Sequence, residues 1–156
     1  MQERPNDHTT KLEPSAQPTV RSQWRLSQPE SQELLAKLEY LFEKRIIRPS
    51  TSPYASPFLF TPKRDRGLRM CTDYKALNNI TIKSRYLLSR VDDLIDQLRG
   101  AKIFSKIYMR GGYHQIHVAE ADIPKTASRT HYKSYKCTVM LLGLTNAPST
   151  FQPDHE

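Results

Sequence analysis

The spacing of apolar residues predicts a helix near the start of the chain. Apolar positions repeat at three- and four-residue intervals at Leu34, Leu35, Leu38, Leu41 and Phe42. This spacing places them on one stripe of a helix that packs against a core. Ser27 and Glu30 have the spacing of a capping box, and Pro29 lies in the first turn. We therefore predict a helix over about residues 28–45, which ends before Pro49.

A β-hairpin and a second helix are predicted next. The segments 57–62 and 68–73 are both rich in strand-forming residues, and the turn between them ends at Gly67 and carries three cations. Ser89 begins a second capping box, which predicts a helix over about 90–99. The apolar face of this helix would consist of Val91, Leu94, Ile95 and Leu98.

The second half of the chain predicts shorter elements. Residues 102–108 and 136–142 are strand candidates, and Thr145 or Asn146 has the chemistry of a helix cap. Residues 1–26 are polar and contain several prolines, so we predict an extended or disordered lead-in. Helices and strands interleave without a βαβ repeat, which predicts the α+β class.

The charge is concentrated in the centre of the chain. The formal net charge is +8, but residues 37–110 hold sixteen Lys/Arg and seven Asp/Glu, a net of +9. A basic centre between neutral ends is typical of a protein that binds a polyanion. A solvated basic surface explains the same charge equally well.

The sequence indicates neither a disulfide framework nor a membrane protein. Cys71 and Cys137 lie far apart and lack the spacing of a zinc site, so we expect two buried or half-buried thiols. No apolar run approaches the ~20 residues of a membrane span, and the first residues lack the apolar stretch of a secretory signal. We therefore expect an intracellular protein that does not bind a membrane.

Five segments occur in a fixed order along the chain. They are 47–53 (IRPSTSP), 68–78 (LRMCTDYKALN), 92–98 (DDLIDQL), 112–116 (GYHQI) and 143–152 (GLTNAPSTFQ). Together they resemble the reverse transcriptases of gypsy-type LTR retrotransposons, which are RNA-directed DNA polymerases. The resemblance covers about residues 7–152. It implies the fingers and partial palm of a right-hand polymerase over 27–156, behind a lead-in at 1–26, with a template-primer of RNA or DNA and a deoxynucleoside triphosphate as partners.

The resemblance assigns nucleotide-binding roles to particular residues. It implies that Lys63 and Arg69 meet the triphosphate, with Lys75 further along, which fits the chemistry of cations on a hairpin. It also places Tyr113 under the sugar. Without the resemblance, a solvated charged turn is the favoured interpretation of these cations, and an ordinary half-buried aromatic is the alternative for Tyr113.

The resemblance also implies that a second group of residues supports the template-primer and the nucleotide pocket. Its members are Gly143, Asn146, Pro148 and Gln152. The alternative is that Asn146 and Pro148 simply cap and begin a helix, which needs no ligand.

The chain departs from the family at a catalytic position. The family motif FSKIDLRSGYHQ reads FSKIYMRGGYHQ at 104–115, so Tyr108 stands where the first catalytic aspartate is expected. Nucleotide addition uses two divalent cations about 3.5–4 Å apart, and Mg²⁺, the family's metal, needs anionic oxygen ligands. A tyrosine phenol has a pKa of about 10 and is neutral at pH 7. We therefore expect no intact catalytic site and no metal bound by this chain.

A second departure concerns the family's Tyr-x-Asp-Asp hairpin, which lies downstream of the segment that ends at Gln152. The sequence stops at Glu156, before that hairpin, and we expect the chain by itself to be unable to polymerise. This leaves three hypotheses: an inactive fragment of a retrotransposon polymerase, a nucleic-acid-binding module without chemistry, or a relic without function.

Overall fold

Helix α1 spans Gln28–Glu43 and begins at the capping box that the sequence predicts. The computed structural model describes residues 7–64, 67–85, 91–107, 109 and 111–152. The Ser27 amide donates to Glu30 Oε2 at 2.8 Å, and the Glu30 amide donates to Ser27 Oγ. The helix ends two residues before Arg45, whose φ of 57° reverses the chain. Its buried stripe is narrower than predicted, because Leu35 and Phe42 remain more than half exposed.

Within the described residues, five strands form two antiparallel sheets. Strand β1 (Ile47–Pro49) pairs with β5 (Ser134–Cys137), and β5 pairs with β4 (Ser128–Arg129). The predicted hairpin is confirmed: β2 (Phe58–Pro62) pairs with β3 (Leu68–Thr72), with Phe58 opposite Thr72 and Pro62 opposite Leu68.

The remaining elements are short. They are the helices α2 (Lys75–Asn79), α3 (Val91–Gln97) and α4 (Ala147–Phe151), and the 3₁₀ helices Gly112–Gln115 and Ile123–Thr126. Helix α3 confirms the prediction of a helix over about 90–99, although its predicted cap, Ser89, lies outside the described residues. This mixture of elements is the predicted α+β class.

The strand predicted at 102–108 is wrong for the residues that the structure describes. Residues 102–107 have no regular secondary structure, and Tyr108 lies outside the described residues. Ile103 and Ile107 are 89% and 88% exposed. An apolar, β-prone segment becomes a strand only when another strand supplies its hydrogen bonds, and no described strand pairs with this one. The strand predicted at 136–142 is displaced, since β5 ends at Cys137.

The buried apolar residues form two neighbouring clusters. One joins α1 to the hairpin and β5 and contains Leu34, Leu38, Leu41, Ile47, Phe58 and Cys137. The other lies beneath α2 and contains Tyr74, Leu77, Ile116, Met140, Leu144 and Ala147. Leu141 packs against both clusters and so connects them.

Residues 7–26 run extended along the rest of the chain. His8 forms an isolated bridge with Val118, and its ring is buried, with Nδ1 2.9 Å from Thr150 Oγ1. The Thr10 amide donates to Asp122 at 2.8 Å, and Lys125 donates to the Thr10 carbonyl oxygen at 2.7 Å. These contacts tie the start of the segment to residues 118–125 and to Thr150, while the division of the chain at residue 26 stays a prediction.

The burial of His8 predicts acid-sensitive stability. Desolvation lowers the pKa of His8 below 6.5, and the charge of Asp122 opposes this only in part. In the unfolded chain His8 binds a proton at its ordinary pKa of 6.5, whereas in the folded chain it binds that proton only at lower pH. The unfolding free energy therefore falls as the pH drops below 6.5. We expect His8→Gln to reduce the loss of unfolding free energy between about pH 7.5 and about pH 5.5, measured by urea denaturation. Equal losses in the two proteins would contradict the assignment.

Candidate functional site

The hairpin carries two of the predicted nucleotide-binding cations near its turn. Lys63 directly follows β2, and its amide donates to the Gly67 carbonyl oxygen at 2.7 Å. Arg69 lies on β3 opposite Thr61. Both side chains are exposed, so the hairpin holds two cations close together and accessible to a ligand.

These two cations line a cavity of about 510 Å³. One wall comes from α1 and β3, and the other from the segment around Gly111 and His114 and from residues 141–142. Among the residues that the structure describes, its acidic and basic lining residues are Glu33, Lys37, Lys63, Arg69 and His114. The remaining lining is mainly apolar. Three permanent cations therefore face one carboxylate in a partly apolar cavity, which favours an anionic ligand with an apolar portion.

His114 contributes a neutral ring to this cavity at neutral pH. The side chain is exposed overall, but desolvation of its ring at the cavity wall, followed by the positive charge of Lys37, lowers the pKa of His114. Gly111 begins this wall in the left-handed region at φ 61°, a conformation that most other residues avoid. His114 was not among the residues that we predicted, because a single histidine in a motif carries no signal of its surroundings.

Tyr113 packs away from the lining of this cavity. Its ring stacks on Phe151 with centroids 4.8 Å apart, and Gly112 leaves room for this stack, since a Cβ there would come within 3.1 Å of Phe151. Tyr113 is half-buried, as an ordinary packed aromatic would be. Its predicted place under a sugar stays a prediction.

Lys75 is the first residue of α2 and is exposed. Its amide donates to Asp73 Oδ1 at 3.0 Å, which leaves the ammonium group at the surface beyond β3. The side chain does not line the cavity. The structure thus brings Lys63 and Arg69 together, with Lys75 set apart from them.

Two asparagines clamp the segment predicted to support a template-primer. Asn78 donates to the Gly143 carbonyl oxygen at 2.7 Å and accepts from the Thr145 amide at 2.9 Å. Asn146 donates to the Ile82 carbonyl oxygen and accepts from the Ser84 amide, both at 2.9 Å. These four bonds fix the segment 143–146 against 78–84.

Gly143 is required by its surroundings. Its φ is +103°, and a Cβ at this position would lie 3.3 Å from the Thr72 carbonyl oxygen. Pro148 lies in the first turn of α4, and Gln152 directly follows that helix. Asn146 stands at the cap position of α4, but its side chain accepts from the Ser84 amide and makes no capping hydrogen bond. The alternative in which Asn146 only caps the helix therefore does not account for its hydrogen bonds. Asn78 was missed, because its partners lie more than sixty residues away.

The two thiols differ in burial. Cys137 is buried, and desolvation raises its pKa to about 12, so it stays protonated at neutral pH. Cys71 is half-buried and lines the cavity. Both thiols are free, as predicted.

The predicted catalytic position, Tyr108, lies outside the described residues. Within the described ranges, no three His, Cys, Asp or Glu side chains are grouped closely enough to hold a metal ion. In the part of the chain that the structure describes, no helix has both the length and the apolar character needed to cross a bilayer.

Comparisons with known proteins identify the fold and the family. A solved foamy viral protease-reverse transcriptase in complex with double-stranded DNA superposes with a TM-score of 0.76 at 19% identity, over 90% of this chain and 25% of that one. Residues 61–153 match the family model described as "Reverse transcriptase (RNA-dependent DNA polymerase)". The fold is therefore that of the fingers and partial palm of a right-hand polymerase.

Two relatives refine this placement. The Pol polyprotein from transposon opus of Drosophila melanogaster is 38% identical over 125 residues, 77% of this chain and 12% of the polyprotein. An RNA-directed DNA polymerase homolog from Oenothera berteroana is 51% identical over 85 residues, 54% of this chain and 60% of the homolog. The chain belongs to the reverse transcriptase family, in the branch of LTR-retrotransposon Pol polyproteins. It spans a small part of the opus polyprotein and under two thirds of the Oenothera homolog.

The clamp formed by Asn78 predicts a measurable local effect. Asn78→Ala removes the partners of the Gly143 carbonyl and the Thr145 amide, and we expect it to lower the unfolding free energy by about 1–3 kcal/mol. The exchange of the Thr145 amide proton should become faster. Asn79→Ala is the matched control, because the neighbouring Asn79 is exposed. Equal effects of the two substitutions would show that Asn78 does not hold this segment.

Proposed function

We propose that this chain is the fingers and partial palm of a retrotransposon reverse transcriptase whose polymerase chemistry is lost at position 108. The observation that carries the proposal is a cavity lined by two hairpin cations, in a chain whose family motif has lost its first catalytic aspartate. Lys63 and Arg69 line the cavity beneath the hairpin, while Tyr108 replaces the carboxylate that the family motif places there. In this proposal Lys63 and Arg69 meet the triphosphate, while Lys75 and Tyr113, which do not line the cavity, could meet only a part of the nucleotide that extends beyond it.

The donor set of the cavity does not fit a divalent metal. Mg²⁺ takes near-octahedral oxygen ligands, several of them anionic. Glu33 is the one carboxylate among the lining residues that the structure describes, and two lysines and an arginine share that part of the lining. At position 108 a neutral phenol stands in the family's carboxylate position, so the residues present supply cations in place of metal ligands.

Nucleic-acid binding is the second function that we propose. The net charge of +9 over residues 37–110 supports it, since neutralised phosphates release counterions. The clamped segment that contains Gly143, Asn146, Pro148 and Gln152 would support the template-primer backbone. The hypothesis of a relic without function makes the opposite prediction, since it expects neither a stable fold nor binding.

The proposed loss of polymerase activity is tested by comparing proteins that differ only at residue 108. The chain is fused to the downstream palm and thumb of a related LTR element, so that every variant contains the same Asp-Asp hairpin. We expect the fusion with Tyr108→Asp to extend a primer with Mg²⁺ and the unmutated fusion to be slower by at least about 10³-fold, since the aspartate would be a metal ligand.

Two controls accompany this experiment. Tyr108→Asp in the 156-residue chain should give no extension, since one carboxylate does not position two metal ions. Tyr108→Phe in the fusion should remain inactive, because it restores no anionic oxygen. Similar extension rates for the unmutated and aspartate-carrying fusions would show that position 108 is not a metal position.

The nucleic-acid proposal predicts strongly salt-dependent binding. The purified chain should bind a primer-template duplex without sequence preference, and log Kd should rise linearly with log salt concentration, by about 0.9 for each phosphate neutralised. Fluorescence anisotropy with two duplexes of unrelated sequence measures both properties. A folded sample that fails to bind at low salt, or whose affinity is independent of salt, would contradict the proposal.

A further inference from the structure

Helix α1 contributes a charged stripe to the cavity that holds Lys63 and Arg69. Glu33, Lys37 and Leu41 all line the cavity, and their four-residue spacing places them above one another on one face of the helix. Leu41 is buried in the core, which anchors the end of the stripe. The position of Lys37 at the cavity wall is therefore a consequence of how α1 packs.

Lys37 is held at the wall by its neighbours. The side chain is half-buried, and its ammonium nitrogen lies 4.9 Å from the centroid of the Tyr40 ring, one turn further along. A cation over an exposed aromatic face gains about 0.5–1 kcal/mol, so this contact favours the observed placement of the lysine. Its positive charge also reaches His114 on the opposite wall.

The charge balance of the cavity favours a polyphosphate. Lys37, Lys63 and Arg69 give three permanent positive charges against the single carboxylate of Glu33. In a nucleotide site that uses Mg²⁺, the metal neutralises part of the phosphate charge. Here Lys37, the third cation among the described lining residues, supplies a positive charge in the same cavity, and the apolar lining offers a surface for the nucleoside.

We infer that Lys37 is a third phosphate-binding cation of this cavity, and that a deoxynucleoside triphosphate binds there without a divalent metal ion. The inference rests on the proposed nucleotide site and adds to it a residue outside the hairpin and a mode of binding that needs no metal. Glu33 opposes this binding, since its carboxylate lies on the same stripe and repels the phosphates.

The test is isothermal titration of the full chain with dGTP and with inorganic tripolyphosphate, in excess EDTA and at low ionic strength. We expect both to bind, and dGTP to bind more tightly because its nucleoside meets the apolar lining. Lys37→Gln should weaken dGTP binding roughly tenfold, the factor expected for one charge-assisted hydrogen bond. Glu33→Gln should strengthen it.

Lys44→Gln is the matched control. Lys44 lies at the end of the same helix and its ammonium nitrogen is 5.9 Å from the centroid of the same Tyr40 ring, but it does not line the cavity. This control should change dGTP affinity by less than about twofold, as expected for an exposed charge. Lys37→Arg should retain most of the binding, and thermal unfolding should show that all variants are folded.

The outcomes separate the two proposals. Equal losses in Lys37→Gln and Lys44→Gln, or dGTP binding that requires Mg²⁺, would overturn the inference and leave the nucleotide site in place. A folded wild-type chain that binds neither ligand, with or without Mg²⁺, would overturn the nucleotide site itself.

Discussion

The pairing of β1 with β5 is the constraint on which the rest of the structure depends. Ile47 lies opposite Cys137, so two segments about ninety residues apart meet as neighbouring strands. Thr138 extends this pairing, since its amide donates to the Ile46 carbonyl oxygen at 2.9 Å and its hydroxyl donates to the Arg45 carbonyl oxygen at 3.0 Å. Because Ile47 and Cys137 both line the cavity, this one pairing sets the distance between α1 and the segment that contains Leu141 and Leu142.

The packing of α1 against the hairpin explains how several cations stay together in one cavity despite their mutual repulsion. The core cluster around Leu38 and Phe58 holds α1 against the hairpin, so burial of apolar surface keeps the lysines and the arginine in one place. Lys63 and Arg69 are exposed and Lys37 is half-buried, so water screens their mutual repulsion when no ligand is present. A polyanion that enters the cavity would find the cations already assembled, so little ordering would oppose binding.

Much of the fold could be predicted where local chemistry decides the structure. The capping box at Ser27, the leucine spacing of α1 and the turn at Gly67 are local signals, and the structure contains the helix and the hairpin that they predict. Residues 102–107 show the limit of this reasoning. Their apolar, β-prone residues are compatible with a strand, but a strand also needs a neighbour, and the sequence of one segment contains no information about its partner.

The candidate site, like the fold, has some features that single residue types decide and others that depend on distant contacts. The sequence by itself determined the cations of the hairpin, the glycine at 143 and the tyrosine at 108, because charge, conformational freedom and acidity belong to the residue type. Only the tertiary structure decided that Lys37 shares a cavity with Arg69, that Asn78 holds the turn at Gly143, and that Tyr113 stacks on Phe151. The physical reason is the distance along the chain over which each interaction acts. Propensity, capping and turn chemistry act over a few residues. The contacts of the site join distant segments, which approach one another only when the two apolar clusters are buried.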